Sequence, residues 1–205
     1  LRYSDLEIGA ARFTGPRPAG ELIVRQLRLR IGEWELPATV IEGEQVRKHV
    51  VLLADAGCSS QRARIEELAQ SGHRVLAIDP VLFGHNLPAS GAKYQNAMLL
   101  ATIGERPLGI QASQVMAAAQ YFGRVFVAET VSLESHGATT SLVARCAAAI
   151  DGGHSISSVT TNGEAQTLHD FLKPGPSYGG TPEVYCFGLL EYFDIPQLIR
   201  LAEPD

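Results

Sequence analysis

Apolar positions along the chain follow a period of two in some stretches and of about 3.6 in others. From Leu22 to Ile31 they alternate, with Leu27, Leu29 and Ile31 on one face and Arg28 and Arg30 on the other, the mark of a strand solvated on one side. Gly32-Glu33 turns the chain, and Trp34 to Ile41 supplies a second strand. The two form an antiparallel hairpin at a sheet edge, where Pro37 is tolerable because an edge strand can lack a donor. The unbroken run Val50 to Ala54 reads as the first buried strand. Gln61 to Ser71 reads as a helix with Ile65, Leu68 and Ala69 inward, and Gly72 closes it before the strand Arg74 to Asp79. That is a βαβ unit, whose crossover is expected to be right-handed.

Pro80 to Leu108 is a long connection carrying Gly84, Pro88, Gly91, Gly104 and Pro107, with room for a short helix over Tyr94 to Ile103. Connections of this length inside a compact domain are usually functional loops or lids. Leu108 to Phe122 is helical, with Ile110, Val115, Met116, Ala119 and Phe122 on its apolar side.

Arg124 to Ile150 then reads as strand, sharp turn and helix in succession, and the rest of the chain is organised around it. Val125, Phe126, Val127, Val131 and Leu133 suit a strand buried on both faces, and Ser135-His136-Gly137 breaks the run. Leu142, Val143, Cys146, Ala147 and Ile150 recur at helical spacing, with Thr139, Thr140 or Ser141 placed to satisfy the first free N–H groups. Asp151-Gly152-Gly153 stops that helix. Beyond it come a polar-rich strand (Ser155 to Thr161), a short helix (Gly163 to Leu172), a loop dense in glycine and proline (Pro174 to Pro182), and a last helix from Asp194 to Leu201. Asp194 caps that helix, and Pro196 lies in its first turn. Residues 1 to 20 are poorly periodic, and Gly15-Pro16-Arg17-Pro18 marks an arm or linker with little structure. The expected fold class is α/β: a domain over residues 21–205 with a mostly parallel, doubly wound sheet opened by the N-terminal antiparallel hairpin.

Composition narrows the function classes. At 205 residues and 45% hydrophobic content the chain can bury one sizeable core. A net charge of −5 with mixed signs gives no field for nucleic acid or an anionic membrane, so neither is an expected partner. Cys58, Cys146 and Cys186 are odd in number and widely spaced, which favours buried free thiols over a zinc site or disulfide framework. No metal and no cofactor is expected from the ligand spacings. The chain opens with Leu1 rather than Met, which points to a processed product or an excised piece. Compartment stays open, a secreted or periplasmic parent included.

Four passages together resemble the α/β-hydrolase superfamily, and within it the acetylxylan-esterase-like and dienelactone-hydrolase-like group. Val50-Val51-Leu52-Leu53-Ala54-Asp55-Ala56-Gly57 is similar to the strand and oxyanion-hole loop. Val75-Leu76-Ala77-Ile78-Asp79-Pro80 with Phe83-Gly84 is similar to the next strand and its glycine turn. Leu108-Gly109-Ile110-Gln111 up to Tyr121-Phe122 resembles the helix before the nucleophile elbow. Tyr185 to Leu190 followed by Tyr192-Phe193-Asp194-Ile195-Pro196 resembles the segment that leads into the last strands. The resemblance implies an elbow at Ser135-His136-Gly137, where the family carries G-x-S-x-G. Here the nucleophile position falls on Gly137 or Ala138, neither of which can attack a carbonyl. It also implies an acid and a histidine after the last two strands; Asp205 falls where those strands are expected to begin, so neither group is expected within residues 1–205.

The catalytic candidates are therefore Ser135 and His136, a displaced nucleophile and base, although neighbours on a strand point to opposite faces. Asp55, Ala56, Gly57 and Asp79 are the candidates for an oxyanion site or pocket. Asp79 lies at a strand's carboxyl end, where open α/β sheets bind ligands, and could equally cap its own turn. Ser141 inside the helix is expected to back-bond to the preceding turn. His85, His154 and the His169-Asp170 pair default to solvated side chains. Glu129 and Glu134 would be costly if buried without partners.

Three functions compete. One is a degenerate hydrolase-fold domain, a pseudoenzyme acting as a structural or binding module of a larger esterase-like protein. Another is an active carboxylester hydrolase that deacetylates an acetylated carbohydrate, using an unusual serine or completed by another chain. The third is a flavodoxin-like binding or redox domain, with Ser59 and Ser60 at a helix start to hold an anion. A sheet with an open edge is expected to pair with a second copy or with another segment of the parent protein.

Overall fold

The structure, a computed structural model of the chain, describes residues 8–89, 93–173 and 178–202, without the side chains of residues 9–13. The termini at Leu1 and Asp205, Gly91 and the 174–177 part of the glycine-rich loop lie outside the described residues.

Eight strands make one mixed sheet: β1 (Ile8–Phe13), β2 (Arg17–Ala19), β3 (Leu22–Ile31), β4 (Trp34–Glu42), β5 (Lys48–Ala54), β6 (His73–Ile78), β7 (Val131–His136) and β8 (Ile156–Asn162). Their order is β1-β3-β4-β6-β5-β7-β8, with β2 pairing β3 off that path. The β6, β5, β7 and β8 strands run parallel, and the N-terminal strands pair antiparallel. The expected α/β class, its N-terminal hairpin and its parallel centre are therefore present.

The first twenty residues differ from the expected arm. Residues 8–13 and 17–19 are strands on β3, where they satisfy the backbone groups on the side of β3 away from β4. Pro37 also sits differently: β4 is not an edge strand. Its ladder with β6 begins at Ala38 opposite Ile78, so Pro37 lies one residue beyond the point where a second donor is required.

Helices cover both faces. One face carries α1 (Arg62–Gln70), whose Ile65, Leu68 and Ala69 pack on Val50, Leu52, Val75 and Ala77. The other carries α3 (Pro107–Phe126), α4 (Ala138–Asp151) and α6 (Ile195–Ala202), which bury Leu53, Leu76, Ile78 and Leu133. Each such fully buried side chain contributes about 1.5–3 kcal/mol. The long connection holds α2 (Lys93–Thr102), as expected, and α5 (Leu189–Tyr192) is a single turn.

Two expected boundaries move. Val125 and Phe126 end α3 rather than open a strand, and Val127 terminates that helix in a left-handed conformation at 91% exposure. The strand starts at Val131, which leaves Glu129 exposed in the connection. The segment 163–172 is helical only as a 3-10 turn over Leu168–Leu172, capped by Thr167 and Asp170.

Candidate functional site

The carboxyl ends of β5, β6 and β7 meet at one edge of the sheet, and three carboxylates organise it. Asp79 follows β6. Its Oδ1 accepts the Cys58 N–H at 2.8 Å, and its Oδ2 accepts the His85 N–H at 3.0 Å and contacts His85 Nδ1 at 3.0 Å. Burial alone would raise its pKa, but the hydrogen bonds from His85 and Cys58 outweigh that and hold it below the usual carboxylate range. A Cβ on Gly84 would lie 2.1 Å from Asp79 Oδ2, so the turn after β6 closes on this carboxylate only with glycine there. Asp79 thus ties two loops together. The anion position near Ser59 and Ser60 is filled from within: the first N–H, that of Cys58, already meets Asp79, and the Ser60 hydroxyl donates to Gly57 O at 2.7 Å.

Asp55 follows β5 and reaches 84 residues along the chain to the start of α4. Its Oδ1 accepts the Thr140 N–H at 2.7 Å and its Oδ2 the Thr139 N–H at 3.2 Å. A carboxylate at a helix N-terminus satisfies orphan donors and complements the helix dipole. The hydroxyls expected to do this turn back instead: Thr140 Oγ1 donates to His136 O, and Ser141 Oγ to Gly137 O at 2.6 Å. Gly137, with φ 119°, has the Asp55 carboxylate where a side chain would be; a Cβ there would stand 2.2 Å from Asp55 Cγ.

Ser135 and His136 occupy opposite faces of β7. The Ser135 hydroxyl, fully buried, lies 3.1 Å from Ser141 Oγ and 3.5 Å from Thr160 O. No histidine is among the hydrogen-bond partners of Ser135 or Ser141. His136 faces α1, and its Nε2 lies 2.8 Å from Glu134 Oε1. Glu134, 7% exposed, also receives a bidentate pair from Arg64, at 2.8 Å from Nε and 3.1 Å from Nη2. Burial pushes the Glu134 pKa up, but Arg64 and His136 pull it further down, to below its ordinary value. The partner that sequence reasoning lacked for this carboxylate is Arg64.

A fourth carboxylate, Glu183, was not foreseen. It lies in a 3-10 turn, Pro182–Val184, buried to 1% exposure, and pairs with Lys93 at the start of α2. The Lys93 ammonium also sits 4.3 Å above the Phe83 ring. Burial raises the Glu183 pKa, Lys93 opposes this, and the charge of Asp55 adds to the rise. Only its spacing from Lys93, 90 residues away, hides this pair in the sequence.

The remaining candidates are peripheral. His85 is exposed beyond its Asp79 contact, His154 Nδ1 contacts Asp151 O at 2.6 Å, and His169 and Asp170 lie on the 3-10 turn. Among the described residues, no three His, Cys, Asp or Glu side chains converge as a metal site, and no helix is long and apolar enough to cross a membrane.

No family model and no curated protein matches the sequence. Solved structures do match the fold. A candidate acetyl xylan esterase of Bacteroides fragilis superposes with a TM-score of 0.74 over 99% of this chain and 63% of its own, at 10% identity. An acetyl xylan esterase of a Paenibacillus species gives 0.57 over 77% and 54%, at 12% identity. A dienelactone hydrolase of Anabaena variabilis gives 0.51 over 69% and 63%, at 17% identity. The fold is therefore α/β-hydrolase-like and esterase-like, and the chain spans less than two thirds of the length of each of these proteins.

Proposed function

We propose that the chain is a non-catalytic hydrolase-fold domain, a structural or binding module of a larger esterase-like protein. The observation that carries this reading is the Asp55 carboxylate on the Thr139 and Thr140 amides, beside Gly137. In the hydrolase arrangement the amide after the nucleophile stabilises the oxyanion. With Ala138 in the nucleophile position, that amide is Thr139. Each such donor contributes about 2.7–4 kcal/mol to the transition state. Here the substrate oxygen would meet a carboxylate instead of a free donor. A serine without a base is also a poor nucleophile, and Ser135 and Ser141 are buried against each other.

The alternative is deacetylation of an acetylated carbohydrate by an unusual serine or with another chain's help. One observation favours it: Glu134 orients the His136 imidazole as an acid orients a catalytic base. Hydrolysis of p-nitrophenyl acetate by the purified chain, beside Ser135→Ala and His136→Ala, decides between them. Equal background rates in all three support the non-catalytic reading; loss of turnover in either variant overturns it.

A further inference from the structure

A groove of about 820 Å³ runs between α1 and the β3–β4 hairpin, a size that suits a small organic ligand. Its walls come from residues 14–85, and β5 and β7 separate it from the β8 edge. Gln26, Thr39 and Ala77 stand in register across β3, β4 and β6. This row deepens from exposed Gln26 through half-buried Thr39 to buried Ala77, and buried Ile41 and Ile65 extend the apolar lining. Among the described residues no hydrogen bond engages the side chains of Gln26, Thr39 or Ser59. Arg62 bonds Glu66 through Nε, which leaves its two Nη groups, and Arg28 meets Glu35 at 3.6 Å with both side chains exposed. Exposed pairs of this kind contribute little and exchange readily for another anion. The carboxylate on the groove wall, Asp79, is already satisfied by the Cys58 and His85 amides.

We propose that this groove binds a small amphiphilic anion: an aliphatic carboxylate whose chain lies on Ile41, Ile65 and Ala77 and whose acid group meets Arg28 and Arg62. Charge complementarity selects the occupant, because the charged donors left over are guanidiniums, which hold carboxylates through charge-assisted, often bidentate hydrogen bonds. Gln26, two residues from Arg28 on the same face of β3, adds an amide donor beside the acid group. Among the described residues no Phe, Tyr or Trp lines the groove, so it offers no stacking platform to a planar ring. An aliphatic chain instead gains about 25 cal/mol for each Å² it buries on the apolar lining. The groove lies on the α1 face of the sheet, whereas Ser135 bonds Ser141 on the α4 face. Binding here is therefore independent of whether the chain hydrolyses esters.

NMR chemical-shift titration of the purified chain at low ionic strength tests this with hexanoate, beside 1-hexanol, which lacks the charge, and acetate, which lacks the chain. Hexanoate is expected to saturate with a Kd on the order of 1 mM, and the other two to bind about tenfold more weakly or less. Arg28→Gln/Arg62→Gln removes the charge-assisted hydrogen bonds and should weaken hexanoate about tenfold or more. Thr39→Phe fills the groove from a strand position that suits an aromatic residue, and should abolish hexanoate binding. Circular dichroism checks that both variants are folded. Hexanoate shifts that do not saturate, 1-hexanol binding as tightly as hexanoate, or full hexanoate affinity in either variant would overturn the proposal.

Discussion

Asp55 fills the space a side chain at Gly137 would need, with its Cγ 2.2 Å from the Cβ such a residue would carry. The same carboxylate caps α4 through the Thr139 and Thr140 amides. The loop after β5 and the turn after β7 are therefore one device: the first supplies the anion that the second, by lacking a side chain, admits.

Gly137→Ala is expected to destabilise the fold by about 2 kcal/mol or more, from the positive φ and from displacement of Asp55. Asp55→Ala alone is expected to cost about 1–2 kcal/mol, as loss of a helix cap does. Because both substitutions break the same contact, the double variant should lose less than the sum. Urea unfolding of the four proteins measures this coupling, and strict additivity would contradict the contact.

Acid should unfold the protein through carboxylates held below their ordinary pKa. Glu42, buried between Arg25 and Arg74, belongs with Asp79 and Glu134: burial raises each pKa, and the paired groups more than reverse it. A group whose folded pKa is depressed contributes its stability above the unfolded value and loses it as pH falls through the folded one. Urea midpoints should therefore hold above about pH 5 and decline below about pH 4. Glu134→Gln should flatten that decline.

Lys93→Met should be among the more damaging single changes, because it leaves Glu183 buried without its counter-charge. Breaking one partner of such a pair costs about 3–5 kcal/mol, while replacing both is often close to neutral. Lys93→Met/Glu183→Leu is expected to recover most of the loss. With its pKa raised further in Lys93→Met, Glu183 would oppose folding as it ionises, so that variant should be more stable at pH 5 than at pH 7.

The three thiols should differ in reactivity. Burial pushes the Cys146 thiol up to about 12, and it raises Cys58 as well, whose Sγ donates to Ile78 O and Leu52 O. Cys186 is half-buried, and burial raises it too. A disulfide reagent at neutral pH should modify Cys186 first, with Cys58 and Cys146 reacting only on denaturation. Rapid labelling of Cys146 in the native protein would contradict its burial.

The sequence made the architecture legible where periodicity is local. The face Ile65-Leu68-Ala69, the alternation of β3 and the run Val50 to Ala54 all lie where their patterns put them. Reading failed where long-range contacts decide. Val125 to Val127 has strand-like composition, yet α3 runs on along the sheet beside α4 through Phe126, so those residues finish a helix. The strands at 8–13 and 17–19 have no apolar pattern because they lie at the sheet edge. At the site, Ser135 and His136 diverge as strand geometry requires. The groups that define it, Asp55 on α4, Arg64 on Glu134 and Lys93 on Glu183, are separated by 70 to 90 residues and leave no local signal.

The most direct test of the account is covalent labelling with a fluorophosphonate, which reacts with serines activated by a neighbouring base. Intact mass and peptide mapping of the labelled chain should show no adduct, because Ser135 and Ser141 bond to each other and to backbone carbonyls rather than to a histidine. A stoichiometric adduct on Ser135 or Ser141, lost in His136→Ala, would establish an activated nucleophile and contradict the non-catalytic reading.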